Sequence, residues 1–364
     1  MSATPASPRR PTVALYTDST LFGGAETSLG HLAAELDPTL EVVVLGVDRE
    51  VVERLTARRP AAVAEVLPAV RTKRDVRAFA AHVRALRRLR PDVLQANLTT
   101  PASCQYALLA ATLVHGVRTV AVEQLPFPLD GRLQLGLKRF TSHRLAAHVA
   151  VGDQGARDVE RFVGLPAGSV RTIRNGVPDV PLEPLPRPFA GPTVGSLGRL
   201  DRQKGYDVLL RALSELPGVA AVLVGDGPER EALERQAAET RLDGRVLFAG
   251  WQEEPRRYLT ALDAFVLPSR FEGFPLSVVE AMLAELPVVA SRVGSMAEAV
   301  QDGETGVLVA PDDPAALASA LRRLLDEPDV RARLGRRGRE VAVAQLTSAA
   351  MARAFEALYR EILR

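Results

Sequence analysis

Residues 194–205 decide the fold and read Val194-Gly-Ser-Leu-Gly-Arg-Leu-Asp-Arg-Gln-Lys-Gly205. The apolar start is typical of a buried strand, and Gly198 is typical of a turn that leads into a helix. Such strand-like runs alternate with helical patterns along the whole chain. This alternation predicts an α/β fold with parallel sheets and crossover helices. We therefore expect two doubly wound, Rossmann-like domains.

Five strands are predicted in each half of the chain. They are Val13–Tyr16, Glu41–Gly46, Val93–Gln95, Thr119–Val122 and Ala147–Val151, then Thr193–Ser196, Ala220–Val224, Val246–Phe248, Ala264–Leu267 and Val288–Ala290. Six prolines from Pro178 to Pro192 exclude helix and central strand, so residues 179–192 are predicted to link domains 1–178 and 193–347. Apolar residues at helical spacing predict a final helix over 348–364 that packs back on the first domain.

Composition limits the class of protein. The 364 residues are 47% hydrophobic, enough for two cores of ordinary size. Cys104 is the single cysteine, which excludes an internal disulfide and a cysteine-rich metal site. Residues 1–12 do not resemble a secretory signal, and the apolar run Ala107–Val114 is far shorter than the roughly eighteen residues that span a bilayer. A cytoplasmic protein is expected.

Charge is unevenly distributed, although the net charge is only +2. Residues 71–90 contain eight basic residues and one acid, around an apolar stripe of Phe79, Val83, Leu86 and Leu89. The pattern predicts a basic amphipathic helix from Arg71 to Arg90. Two interpretations stay open: a solvated helix docked on the first core, or a peripheral contact with an anionic membrane. Nucleic acid is disfavoured as a partner, because Phe79 is the only aromatic residue among the charges.

A second informative stretch, residues 271–281, reads Phe271-Glu-Gly-Phe-Pro-Leu-Ser-Val-Val-Glu-Ala281. A glycine-proline loop runs here into a helix, whose first amides at Leu276 and Ser277 can meet a diphosphate. Glu272 before the helix and Glu280 inside it can accept hydrogen bonds from hydroxyls. Together these groups suit a sugar nucleotide.

Cations and glycines elsewhere fit the same ligand. Arg199 and Lys204 follow one strand end, where they can neutralise a leaving diphosphate without a metal. Gly23 and Gly24 follow the first strand, where adjacent glycines permit positive backbone angles and close approach of a phosphate. A nicotinamide enzyme is disfavoured, because Gly23 and Gly24 with Gly30 do not form Gly-x-Gly-x-x-Gly.

In their order and spacing these pieces resemble the retaining glycosyltransferases of family 4, which have the two-domain GT-B fold. The resemblance covers nearly the whole chain. It rests on Phe22-Gly23-Gly24-Ala25-Glu26, Arg174-Asn175-Gly176-Val177, Gly198-Arg199-Leu200, Lys204-Gly205, Val224-Gly225-Asp226-Gly227-Pro228, Pro268-Ser269 and the segment Glu272–Glu280.

The resemblance implies roles for individual residues. Arg199 and Lys204 would act on the diphosphate and Glu272 on the donor sugar, as catalytic residues, while Glu280 would contact the ribose. Residues 245–251 would lead to the nucleobase. The other implied donor-binding residues are Gly23, Gly24, Gly198, Gly225, Asp226, Gly273, Phe274, Pro275, Leu276 and Ser277. Gly225 and Asp226 fit a simple strand-end turn equally well.

The implied reaction moves a hexose or N-acetylhexosamine, with retention, from a UDP sugar, or else a GDP sugar, to a saccharide, lipid-linked or natural-product acceptor. No cofactor and no metal are expected. On the acceptor side the candidates are Asn97, Glu123 and Gln124; Gln95, Asn97 and Gln124 stand where many family members have histidines. Whether these changes alter or abolish acceptor activation stays open. A sugar-nucleotide epimerase of the same fold and a catalytically silent partner protein are the alternatives.

Overall fold

The computed structural model describes residues 9–364, and its internal contacts divide the chain into two units. The first unit contains the chain up to Arg174 together with Ser348–Arg364, and the second contains Asn175–Thr347. Residues 1–8, part of the predicted first domain and of the segment 1–12, lie outside the described residues. Each unit is built on a parallel sheet with helical crossovers, which confirms the predicted fold class.

A seven-stranded parallel sheet in the order β3-β2-β1-β4-β5-β6-β7 forms the first unit. The five predicted strands are present, but the two edge strands were missed. β3 is largely exposed and β7 has only three residues, so neither shows the apolar run on which the prediction relied. The strands are β1 (Thr12–Thr17), β2 (Glu41–Gly46), β3 (Val63–Val66), β4 (Val93–Leu98), β5 (Arg118–Glu123), β6 (Ala147–Ala150) and β7 (Val170–Thr172).

The helices of the first unit cover this sheet and supply much of its core. Leu86 and Leu108, from two of the helices, pack with Tyr16 and Leu94 of the central strands. The helices are α1 (Gly24–Glu35), α2 (Arg49–Ala57), α3 (Val76–Leu89), α4 (Gln105–Ala111), α5 (Arg132–Ser142), α6 (Asp153–Val163) and, from the far end of the chain, α13 (Ser348–Ile362).

The second unit has a six-stranded parallel sheet in the order β10-β9-β8-β11-β12-β13. Its last strand was not predicted. The strands are β8 (Thr193–Leu197), β9 (Ala220–Val224), β10 (Val246–Gly250), β11 (Ala264–Leu267), β12 (Val288–Ser291) and β13 (Gly306–Val309). The helices are α7 (Tyr206–Ser214), α8 (Arg230–Glu239), α9 (Leu276–Leu283), α10 (Met296–Ala299), α11 (Pro314–Asp326) and α12 (Pro328–Gln345), with 3-10 helices at Arg202–Lys204 and Pro255–Ala261.

The boundary between the units lies after Arg174, four residues before the predicted domain end at 178. The N–H of Val177 bonds to the carbonyl of Leu346 at 3.0 Å, which joins this stretch to the second unit. The predicted linker 179–192 also belongs to that unit. Its Leu185 N–H donates to Thr260 Oγ1 at 3.0 Å, and Arg187 pairs with Asp263.

The final helix, α13, completes the first unit. It packs on α1 through buried side chains such as Met351 and Phe355. Its Tyr359 hydroxyl donates to Gln95 Oε1 of β4 at 2.5 Å, and both side chains are buried. Gln95, considered above for a place near an acceptor, is therefore engaged inside the first unit by α13.

The basic segment 71–90 forms α3 and the turn before it. Val83 and Leu86 are buried in the first core, with Phe79 and Leu89 packed against it, so the apolar stripe is already covered. All eight basic side chains of the segment are exposed. Within residues 9–364, no helix is both long and apolar enough to cross a membrane.

Candidate functional site

The carboxyl end of the second sheet collects the predicted catalytic residues and those predicted donor-binding residues that belong to the second unit. Gly198 and Arg199 follow β8, Gly225 follows β9, and Glu272 lies on the loop after β11. These three strands are neighbours in the sheet. Loops at the carboxyl edge of a parallel sheet are the usual place for ligands in such folds.

Lys204 and Glu272 form the centre of this region. Lys204 Nζ lies 2.7 Å from Glu272 Oε1, and the hydroxyl of Ser269 donates to the same oxygen at 2.7 Å. The side chains of Lys204 and Glu272 are 18% and 6% exposed. The structure therefore brings together two of the three predicted catalytic residues, and Ser269 joins them.

Arg199 is nearby in sequence but far more exposed, at 63% of its side chain. Its Nε lies 2.7 Å from Asp201 Oδ2, and the other carboxylate oxygen of Asp201 accepts the backbone N–H of Lys204. Asp201 thus caps the 3-10 helix 202–204 and holds the Arg199 head beside it. Because an exposed ion pair contributes little, the guanidinium can exchange this carboxylate for another anion at small cost.

Close backbone packing explains two glycines of this region. A Cβ on Gly225, whose φ is +136°, would stand 2.0 Å from the carbonyl oxygen of Gly198. The Leu200 N–H bonds to the carbonyl of Asp226 at 2.9 Å, which joins the two turns. Gly294, which the sequence prediction missed, has φ +50° and would place a Cβ 1.9 Å from the Glu272 carbonyl. Gly225 and Gly294 thus have structural reasons to be glycine, whatever ligand binds.

Helix α9 begins directly after this loop. Pro275 is its N-cap, no side chain among residues 9–364 caps it, and the first amides of the helix belong to Leu276 and Ser277. The first N–H groups of a helix have no partner within it and carry its positive dipole end. Phe274 and Pro275 are buried, and Gly273 accepts the N–H of Ser295 at 3.3 Å. Glu280 lies one turn farther on, half-buried.

The glycine loop of the first unit has ordinary backbone angles. Gly23 has φ −118° and Gly24 is absent from the positive-φ residues, so neither glycine uses the positive backbone angles that it permits. The reason is that Gly23 takes the extended N-cap conformation and Gly24 starts α1. Apart from its chain neighbours and the nearby backbone of α1, no atom of the described residues lies within 4 Å of a Cβ built on Gly24. The buried Glu26 accepts the Gly23 N–H at 3.1 Å, and burial raises the pKa of Glu26.

Asn97 and Gln124, two acceptor-side candidates, bond to each other. Gln124 Nε2 donates to Asn97 Oδ1 at 2.8 Å, and Asn97 Nδ2 donates to the carbonyl of Ala25 at 3.1 Å. Both side chains are buried, Asn97 almost completely. This chain of bonds connects the ends of β4 and β5 to the first turn of α1, so it fixes the glycine loop.

Glu123, the third acceptor-side candidate, is held in a buried charge cluster. Lys138 Nζ and His148 Nε2 both contact its Oε1, the latter at 2.7 Å, and Glu123 and Lys138 are each 1% exposed. Burial alone would raise the pKa of Glu123, but the Lys138 charge and the His148 hydrogen bond bring it below its ordinary value. The Glu123 carboxylate therefore anchors α5 and β6 to β5.

Asp18 was not predicted from the sequence, although it follows β1 at the same sheet edge. Its Oδ2 accepts the Cys104 N–H at 2.6 Å and its Oδ1 lies 3.4 Å from the Cys104 sulfur. Burial raises the pKa of Asp18 and, more strongly, that of the Cys104 thiol. An acid two residues after a predicted strand was the available signal. Among residues 9–364, no three His, Cys, Asp or Glu side chains form a group that could hold a metal ion.

Two family descriptions match successive parts of this chain. The model described as Glycosyltransferase Family 4 matches residues 22–179, and the model described as Glycosyl transferases group 1 matches residues 184–341. Together they take in most of both units, including every predicted site residue.

Curated relatives match over shorter stretches. A lipopolysaccharide core biosynthesis glycosyltransferase of Rhizobium meliloti is 36% identical over 171 residues, which are 47% of this chain and 50% of the relative. The 2-deoxystreptamine glucosyltransferase of Streptomyces kanamyceticus is 38% identical over 38% of this chain and 37% of its own length. The chain spans about half the length of the first curated relatives that it matches.

Two solved structures match over nearly the whole chain. Anabaena HepE in complex with UDP superimposes with a TM-score of 0.84 at 21% identity, over 96% of this chain and 100% of that one. A glycosyltransferase from Rickettsia africae gives 0.85 at 16% identity, over 98% and 99% of the two chains. At these identities the likeness establishes the fold, which is that of GT-B proteins.

Proposed function

Because this chain belongs to the glycosyltransferases of group 1 and family 4, we propose that it is a retaining glycosyltransferase with a nucleotide diphosphate sugar as donor. The observation that carries the proposal is the contact between Lys204 and Glu272, four residues ahead of α9. A sugar diphosphate offers an anion to the ammonium group and hydroxyls to the carboxylate. One ligand can therefore satisfy both partners of this pair.

The proposed chemistry breaks the bond between the anomeric carbon and the phosphate oxygen, and the diphosphate leaves with the electron pair. Lys204 and Arg199 neutralise the growing negative charge, and the first amides of α9 donate hydrogen bonds to it. Glu272 orients the sugar through its hydroxyls while the ring becomes oxocarbenium-like. The acceptor oxygen attacks from the same face and gives its proton to the departing phosphate oxygen. Neither a protein nucleophile nor a metal is required.

UDP is the favoured nucleotide and GDP the second candidate, with hexose or N-acetylhexosamine as the transferred sugar. Support for UDP comes from Anabaena HepE, which was solved with UDP and with UDP-glucose. The acceptor is proposed to be a saccharide, a lipid-linked glycan or a natural product. Relatives named for lipopolysaccharide core biosynthesis and for 2-deoxystreptamine glucosylation support both ends of this range. We place the reaction in the cytoplasm.

An epimerase receives less support from the geometry. Such an enzyme is expected to need several ionisable groups around the sugar. In the described part of the first unit, Asn97 and Gln124 bond to each other, and Glu123 is held by Lys138 and His148. These contacts favour group transfer from a donor bound in the second unit.

The chain's only tryptophan, Trp251, makes a direct binding test possible. It follows β10 at the carboxyl end of the second sheet and is 65% exposed. Because the family resemblance puts the nucleobase near this position, titration with UDP, GDP, UDP-glucose or GDP-mannose is expected to change its fluorescence. Calorimetry on wild type and on Trp251→Phe checks that the signal reports binding.

Activity itself is tested by release of the nucleoside diphosphate with a panel of acceptors, in the presence of EDTA. We expect release to persist in EDTA and the product to keep the donor's anomeric configuration, as read by NMR. Absence of binding to every nucleotide diphosphate in the panel would contradict the proposal. Binding without turnover for any acceptor would instead favour a silent homologue.

A further inference from the structure

Arg270 connects the loops that carry Lys204 and Glu272, although its own partners are other groups. Its two terminal nitrogens form a bidentate contact with Asp207, in which each nitrogen donates to one carboxylate oxygen at 2.9 Å. Nη1 also donates to the carbonyl of Arg202 at 2.8 Å, just before Lys204. The side chain is 22% exposed, so these bonds are partly shielded from water.

The backbone around Arg270 strengthens the same connection. Its N–H donates to the carbonyl of Gln203 at 2.8 Å, and Gln203 Nε2 donates to the carbonyl of Phe271 at 3.0 Å. A Cβ on Gly205, whose φ is +66°, would stand 2.1 Å from the carbonyl oxygen of Pro268. Residues 202–205 and 268–272 are therefore packed at backbone contact.

A third segment meets the same guanidinium. Arg270 Nε lies 2.8 Å from Oδ1 of Asp312, on the loop between β13 and α11. Burial alone would raise the pKa of Asp207, but the hydrogen bonds and charge of Arg270, with a smaller effect of Arg211, bring it below its ordinary value. The planar fork of arginine matches this arrangement of acceptors, and a lysine ammonium cannot reproduce it.

We propose that Arg270 is a positioning residue that sets the alignment of Lys204 with Glu272 for a nucleotide diphosphate sugar. The inference rests on the proposed function. Arg270 donates a hydrogen bond to the carbonyl of Arg202, which begins the 3-10 helix that ends at Lys204. Glu272 follows Arg270 by two residues. Loss of the guanidinium frees these two loops from each other, so the ammonium group and the carboxylate no longer meet one ligand in a fixed geometry.

The test compares Arg270→Gln with Arg211→Gln as a matched control. Arg211 also contacts Asp207 Oδ2 at 2.9 Å, but it lies within α7 and its side chain is 50% exposed. Calorimetry measures the Kd of UDP-glucose or GDP-mannose, whichever the wild type binds, and of the matching nucleoside monophosphate. The monophosphate keeps the nucleoside but lacks the transferred sugar and the second phosphate. Its affinity therefore reports on the integrity of the rest of the site.

Arg270→Gln is expected to weaken the diphosphate sugar roughly ten- to a hundredfold and the monophosphate no more than about twofold. Arg211→Gln is expected to leave both affinities within about twofold of wild type. Arg270→Lys, which keeps the charge but not the fork, is expected to fall between the two.

Three results would contradict the inference. Equal weakening of both ligands by Arg270→Gln would indicate general damage to the fold and overturn the positioning role. Unchanged affinity for the diphosphate sugar would overturn it as well, while leaving the proposed function in place. A wild-type protein that binds no nucleotide diphosphate sugar would overturn the proposed function and this inference together.

Discussion

Two of the chain's three lysines pair with a glutamate near the carboxyl end of a sheet strand, one in each unit. Lys138 and Glu123 are each 1% exposed, with His148 as a further partner. Lys204 and Glu272 are 18% and 6% exposed, with Ser269 as a further partner. The chemistry of the pairs is the same, but the difference in burial suits the first to holding the fold and the second to exchanging partners with a ligand.

Of the changes that test this difference between the two pairs, Lys138→Met is expected to have the largest effect, a loss of stability. Removing the ammonium group leaves the buried Glu123 carboxylate with His148 alone, so stability should fall by about 3–5 kcal/mol. Urea unfolding followed by circular dichroism measures the loss. The double variant Lys138→Met with Glu123→Gln should recover part of it, because no buried charge is then left unpaired. A loss under about 1 kcal/mol would show that the pair is not a structural anchor.

Lys204→Gln should instead cause a large loss of activity, and its effect on stability should be the smaller one. Without the ammonium group, the leaving diphosphate loses one cation, and kcat/KM for the donor should fall about 10²- to 10³-fold. The exposed Lys73, changed to Gln, is the matched control and should leave kcat/KM unchanged. If the two variants were equally active, Lys204 would have no role in catalysis.

Asn97→Ala tests whether the amide chain of the first unit is structural. The change leaves the Ala25 carbonyl and the Gln124 amide without this partner, so the free energy of unfolding should fall by about 1–3 kcal/mol. Donor affinity, which we assign to the second unit, should stay at the wild-type value in calorimetry. A stable Asn97→Ala protein with weakened donor binding would show that the glycine loop depends on Asn97 for ligand contact.

The smallest effect concerns acid stability. Because the pKa of Glu123 in the folded protein lies below its ordinary value of 4.5, its stabilising contribution is present above that pH. It is lost as the pH falls through the lower, folded-state pKa. Wild type should therefore lose more stability between about pH 5 and pH 3 than the Lys138→Met, Glu123→Gln double variant. If the urea midpoints of wild type and double variant fell by the same amount across this pH range, the assignment would be contradicted.

Much of the fold could be predicted because buried parallel strands have continuous apolar sequences. Strands such as Val93–Leu98 and Ala264–Leu267 are wholly buried, and their sequences show it directly. The edge strand Val63–Val66 is mostly exposed, so composition gives no such signal. The prolines of segment 179–192 predict an interdomain linker, but its contacts with the rest of the second unit involve residues distant in sequence.

The site was only partly predictable for a related reason. Glu272 and Lys204 stand in local motifs beside glycines, so their chemistry could be inferred from neighbours in the chain. The roles of Lys138 and Arg270 depend on partners 15 and 63 residues away, which no local pattern reveals. Likewise, Asn97 and Gln124 were candidates for an acceptor, but their bond to each other spans 27 residues and appears only in the folded chain.

The placement of α13 has a consequence for synthesis on the ribosome. Residues 348–362 are made after the whole of 175–347, yet Gln95 in the middle of the first sheet needs Tyr359 as its partner. The nascent first unit therefore keeps an uncovered apolar strip beside α1 while the second unit is translated and can fold as an independent body. During that interval the earlier half of the polypeptide exposes apolar surface that is prone to aggregation and that a chaperone can cover.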